Sequence, residues 1–249
     1  MDFEISAIND NDEKNYKLVR EGIGDAAYFP DAVLGVYAGQ HELLVRLLQT
    51  DQEKHAGALL FGLCIKHLVT GANNLFRGHA GVMYRETRGA IEAAGLAHRL
   101  LNDKRTFDTY LADQEYDEVA RQAFKDQTRR NQLFPQNAPK IIQKLGEHYD
   151  YASKKAHTNR MNFLRNVAYS EAKGLSEMNL RDFAQENIIP KLPLELGWMC
   201  GVHLDILLAS CLVIFKHPSV DFSEIIDIQN EVWKRLAAFL VQYGGATII

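Results

Sequence analysis

Residues Trp198 to Phe215 read WMCGVHLDILLASCLVIF, an apolar run interrupted by His203 and Asp205. A helix that is apolar on every side needs apolar surroundings on every side. The run reaches the lower limit of a membrane-spanning length, but a carboxylate inside a span is costly. It is therefore read as the buried central helix of a bundle, with no membrane partner. The rest of the chain must supply the helices that cover it.

Helical periodicity supplies them. After the start signal Pro30-Asp31, the apolar positions Val33, Tyr37, Leu44 and Leu48 share one face of a helix running to Gln49. Asp51 can cap a second helix to about Phe76, and a third runs from about His79 to Leu101. Shorter helices fit Thr106–Ala112 and Tyr116–Arg130, and another spans about Pro139 to His157. Helix is expected again from about Leu180 to Phe215, broken near Pro190 and Pro193. The last helix begins near Phe222, stops before Gly244-Gly245, and spaces Ile225, Ile228, Val232, Leu236, Phe239 and Tyr243 by threes and fours. All six prolines fall at these boundaries. Asn162–Tyr169 could form a short extended piece, but no βαβ alternation appears. The expected fold is all-α, a multi-helix bundle around 198–215. Residues 1–30 are read as an N-terminal segment free to be flexible, and 31–249 as a single helical domain.

Net charge is −4 with the nine histidines counted neutral, so no global positive field favours nucleic acid. Cys64, Cys200 and Cys211 sit in apolar runs without CxxC spacing and read as buried reduced thiols of a cytoplasmic protein. The N-terminus is acidic and polar, without the apolar core of a secretory signal. No phosphate loop, HExxH, GxSxG or Glu-x-x-His pair is present. Gly22-Ile-Gly24-Asp-Ala-Ala27 matches a loose dinucleotide-loop pattern, with Glu42 downstream, but that loop needs a preceding strand and the glycines read as a turn. His41, His55, His67, His79 and His98 are scattered singly, so neither a metal site nor a cofactor is expected.

Two polar stripes stand out. In YRETRGAIEAAGLAHRLL, residues 84–101, projection at 100° per residue puts Arg85, Arg88, Glu92 and Arg99 in one narrow band. Arg88 and Glu92 are four apart and can pair, although cation-first is the weaker order. A guanidinium turned inward must be paired. Downstream, Ile142, Leu145, Tyr149, Ala152 and Ala156 form a core-facing row, and Tyr149, Ser153 and His157 step along its margin. The two stripes read either as solvated edges or as two walls of one pocket, with Arg85, Arg88, Glu92, Tyr149, Ser153 and His157 as its binding residues. His157 and Arg88 are the candidates for any catalytic role, as acid–base group and anion stabiliser.

The order Arg-x-x-Arg-x-x-x-Glu, Arg85 to Glu92, followed by Tyr-x-x-x-Ser-x-x-x-His, Tyr149 to His157, resembles helical bacterial families akin to the HEPN-like group. The resemblance covers roughly residues 55–160. It implies a helical bundle, commonly a dimer, and in some members a metal-independent ribonuclease of toxin or phage-defence systems. Active members carry Arg, four to six residues, then His. No histidine here has an arginine at that distance; His157 is preceded there by Asp150, Tyr151 and Ala152. The expected function is therefore a cytoplasmic bacterial binding or regulatory protein, a homo-oligomer, holding a small anion or nucleotide in the Arg/Glu/Tyr/His pocket. The ribonuclease is the alternative. Self-association is also expected from the apolar 198–215 run together with the final helix, unless both are consumed within one subunit.

Overall fold

In the computed structural model the apolar run lies at the centre of an all-α bundle. The structure describes residues 5–48, 53–103, 125–126, 129–156, 167–169, 178–180, 192–216 and 220–243. The helices are α1 (Ile5–Gly22), α2 (Tyr28–Leu48), α3 (Glu53–Phe76), α4 (Ala80–Asn102), α5 (Lys140–Ala156), α6 (Leu192–Ala209) and α7 (Ser223–Gln242). A short 3-10 turn, Gly24–Ala27, joins α1 to α2, and a four-residue turn, Arg130–Leu133, precedes α5. Helix α6 packs against α2, α3, α4, α5 and α7. Two helices are long and apolar enough to cross a membrane, but 83% of the window in Leu192–Ile214 is buried inside the protein, against 39% in Ala56–Phe76. The centre of a bundle explains α6 without a membrane.

The expected boundaries differ from the structure in places with physical causes. Helix α2 starts at Tyr28 rather than after Pro30, because proline is compatible with a helix's first turn. Pro193 likewise sits in the first turn of α6. Leu180, expected to restart helix, instead lies in a strand: Val167–Tyr169 (β1) pairs antiparallel with Met178–Leu180 (β2), Val167 opposite Leu180. The extended reading of 162–169 thus holds for its last three residues; 162–166 lie outside the described residues. The helix proposed at Thr106–Ala112 also lies outside them, as does most of Tyr116–Arg130. Within the first thirty residues, Val19, Ile23, Ala26 and Phe29 are buried in the common core.

The loop between α3 and α4 shows why these two helices form an antiparallel hairpin. Helix α3 ends with the amide of Gly78 donating to Leu75 O (2.9 Å) and that of His79 to Asn74 O (2.7 Å). This crossed pair satisfies the last carbonyls and requires a left-handed residue, which Gly78 supplies at φ 87°. Helix α7 packs against α2 and α6 and buries Ile225, Val232, Leu236 and Phe239 of its apolar row, while Ile228 and Tyr243 stay exposed. Most of α6 and four of the six positions in the α7 row are covered within one chain.

Polar side chains inside the core bond across helices at one atom each, while Gln40 Oε1, His203 Nε2 and Gln229 Oε1 are buried without a partner. Tyr37 Oη and His203 Nδ1 are 2.9 Å apart, and Gln40 Nε2 donates to Ser210 Oγ at 2.7 Å. The Ser210–Ile214 stretch that ends α6 is a single π turn, closed by Phe215 N donating to Ser210 O. The thiols of Cys64, Cys200 and Cys211 are free and buried, and burial pushes Cys64 and Cys211 up to about 12.

Burial, reinforced by His67, holds His203 down to about 3, so it is neutral in the folded protein. The unfolded chain binds this proton near pH 6.5, so stability is full above that value and falls as pH drops from there towards 3. At pH 5 the expected loss from His203 is about 2 kcal/mol. Urea unfolding at pH 7.5 and pH 5 measures it. His203→Gln, which keeps a polar partner for Tyr37 but does not titrate, should flatten the dependence; an unchanged slope would remove His203 as its source.

Candidate functional site

Helices α4 and α5 pack along most of their length, and small residues make this seam close. A Cβ at Gly95 would stand 2.8 Å from the Phe134 ring, and one at Gly146 would stand 2.8 Å from Phe134 Cβ. Phe134 thus fills the gap where the two helices have no side chains, and its ring lies 5.9 Å from that of Tyr149. Ala90, Ala93, Ala94 and Ala97 are buried on the α4 side; Leu145 and Ala152 are buried on the α5 side.

The seam brings four of the six expected pocket residues together. The Arg88 guanidinium carbon lies 5.8 Å from the Tyr149 ring centroid, and Arg88 Nε lies 3.4 Å from Glu92 Oε1. That contact is an ion pair by distance but not a hydrogen bond: Arg88 Nε is buried without a hydrogen-bond partner. Ser153 Oγ, one turn beyond Tyr149, is a second buried polar atom without a partner. Burial raises the Tyr149 phenol above its ordinary range, the Glu92 carboxylate adds to this, and Arg88 opposes it. A weak hydrogen bond between the Tyr149 phenol and the Ser153 hydroxyl also lowers the phenol's value, but it is too poorly aligned to satisfy Ser153 Oγ.

Arg85 does not join this group; it stands exposed one turn before Arg88. His157 lies outside the described residues. Arg99, at the far end of the same stripe, bonds Asp103 (3.0 Å) and the carbonyl of Gln132 (2.9 Å), tying down chain rather than lining the seam. The Arg88 and Glu92 side chains are 30% and 40% exposed, so the seam opens to solvent at this point. It presents a cation, a carboxylate, a phenol and a hydroxyl within one short stretch. This arrangement can bind and orient a polar group; its described residues contain no imidazole to move a proton.

Sequence reasoning missed a second cluster on the other margin of α5. Asp205 is buried in the middle of α6, where it accepts from Lys144 Nζ (3.2 Å to Oδ1, 3.0 Å to Oδ2) and pairs with His148 Nε2 at 2.9 Å. The signal was present: a lone carboxylate in an apolar helix needs cationic partners, and Lys144 and His148 are four apart beside the core row. A third pair joins α3 to α4, His67 Nδ1 to Glu86 Oε2 at 2.8 Å. Among the described residues no group of three or more His, Cys, Asp or Glu side chains is placed to hold a metal ion. The Gly22–Ala27 pattern lies at the end of α1 and in the following 3-10 turn, with no strand before it, and is not a dinucleotide loop.

No family model, curated protein or solved structure matches this chain.

Proposed function

We propose that the chain is a cytoplasmic bacterial binding or regulatory protein whose α4–α5 seam takes a small anion or nucleotide. One observation carries this reading. Arg88 Nε and Ser153 Oγ are buried on facing helices without hydrogen-bond partners, although buried polar groups are nearly always satisfied. Both can donate, and each left unmade costs on the order of 1–3 kcal/mol. A ligand oxygen reaching both would recover that cost. Glu92 and Tyr149 hold the guanidinium in place, and Arg85 at the exposed end suits the outer charge of a nucleotide. The resemblance to HEPN-like families supports the same residues, and homo-oligomerisation belongs to the reading on that resemblance alone. Sedimentation showing only monomer across micromolar concentrations would remove the oligomer.

Thermal shift and calorimetry with inorganic phosphate and nucleoside 5′-monophosphates test the binding. A ligand at 100 times its Kd stabilises by about 2.7 kcal/mol. Ser153→Ala, which deletes one donor and leaves the α5 core row untouched, should weaken binding about tenfold while unliganded stability is held or slightly raised. Equal affinity in both proteins would take Ser153 out of the site. Cleavage of RNA by the wild type, lost in an Arg88→Ala/His157→Ala variant, would replace binding by the ribonuclease reading.

A further inference from the structure

We infer that the occupant of the α4–α5 seam is an acidic α-amino acid, held by its ammonium group and by both of its carboxylates. This rests on the seam being a binding site, as proposed above, and narrows what fills it.

The aromatic face that a nucleobase would need is already covered. Phe134 packs where Gly95 and Gly146 meet, and Arg88 and Ser153 lie two helical turns from those glycines, each on its own helix. Tyr149 sits between the two levels. The Phe134 ring centroid is 5.9 Å from its own, and the Arg88 guanidinium carbon is 5.8 Å away in the other direction along the seam. No open face is left for a base to stack on, so the occupant is small and carries no ring.

The charges along this stretch of α4 then set the occupant's polarity. They run cation, cation, carboxylate at Arg85, Arg88 and Glu92. Arg88 Nε and Ser153 Oγ are buried donors without a partner. Glu92 Oε1 stands 3.4 Å from Nε without a hydrogen bond between them, and the Glu92 side chain is 40% exposed. A simple oxyanion received by Arg88 would stand beside this carboxylate and be repelled by it. A ligand with an ammonium group on the carbon that bears its carboxylate turns the repulsion into a second contact. Its carboxylate meets Arg88 and Ser153, and its ammonium meets Glu92. Arg85 is exposed and makes no hydrogen bond or ion pair with another described residue. It lies three residues before Arg88, about 4.5 Å along the helix axis, a distance that the side chain of glutamate covers. A second carboxylate therefore falls at Arg85. Water can accept from the two buried donors, but it does not match this order of three charges.

Calorimetry on the full-length protein compares L-glutamate with glutarate, which lacks the ammonium group, and with inorganic phosphate. L-Glutamate is expected to bind about tenfold more tightly than glutarate, the difference made by one charge-assisted contact. Glu92→Gln should abolish that preference, and Arg85→Ala should weaken glutamate about fivefold. Circular dichroism melts confirm that each variant is folded, and the comparison of glutamate with glutarate in the unmodified protein stands without any variant. Glutarate or phosphate binding as tightly as glutamate would overturn the amino acid and leave the seam to a simple anion. A preference that survives Glu92→Gln unchanged, or glutamate affinity unchanged in Arg85→Ala, would overturn the assignment of charges. If none of the three binds, the amino acid is ruled out, and the nucleoside monophosphate titrations decide alone whether the seam is a binding site or is left to water.

Discussion

Phe61→Ala is expected to lower stability by about 3–5 kcal/mol, the usual cost of removing a buried ring. Phe61 is 2% exposed, and its ring lies 5.1 Å from Tyr37 and 6.0 Å from Phe215, so it joins α2, α3 and the end of α6. For a chain of this length the melting temperature should fall by about 6–20 °C. Two positions earlier on the same helix, Leu59 is 70% exposed, and Leu59→Ala should change stability by no more than about 0.5 kcal/mol. Urea unfolding of the pair measures burial rather than residue type. Similar losses in both would mean that α3 is packed the other way round.

That contrast marks a limit of the sequence as a guide. Helix α3 is rich in apolar and small residues on every side, so periodicity alone does not separate Phe61 from Leu59. Helix α7, with one apolar row, and α5, with a narrow one, were legible to within a residue or two because their charged faces leave a single choice. The central position of 198–215 was legible for the opposite reason: a helix with no polar face belongs at the centre of a helical bundle. Arg88, Glu92, Tyr149 and Ser153 could be named because each lies beside an apolar row at a helical interval. Their meeting across a seam could not, since it depends on Gly95 and Gly146 admitting Phe134, a packing event between distant segments. The Lys144–His148–Asp205 cluster escaped for the same reason. Lys144 and His148 gain significance only when α6 is laid against α5.

Arg88→Ala should reduce affinity for a seam-bound anion by about 30- to 100-fold, as expected when a charge-assisted contact of about 2–3 kcal/mol is lost. Stability should move by less than about 1 kcal/mol, because the Arg88–Glu92 pair is partly exposed and Nε contributes no hydrogen bond. Binding and folding are thereby separated. Arg88→Lys keeps the charge but not the planar fork or the buried Nε, and should recover only part of the affinity. Glu92→Gln distinguishes the kinds of ligand. If the guanidinium and the Ser153 hydroxyl receive an oxyanion, the Glu92 carboxylate repels it, and the glutamine variant should bind more tightly by a fewfold. If the ligand instead offers an N–H group to Glu92, the same change should weaken it. Calorimetry with inorganic phosphate and with a nucleoside monophosphate on the three variants reads both signs. Unchanged affinity in Arg88→Ala, with the protein still folded, would reduce the Arg88–Glu92–Tyr149–Ser153 group to a structural seam between two helices.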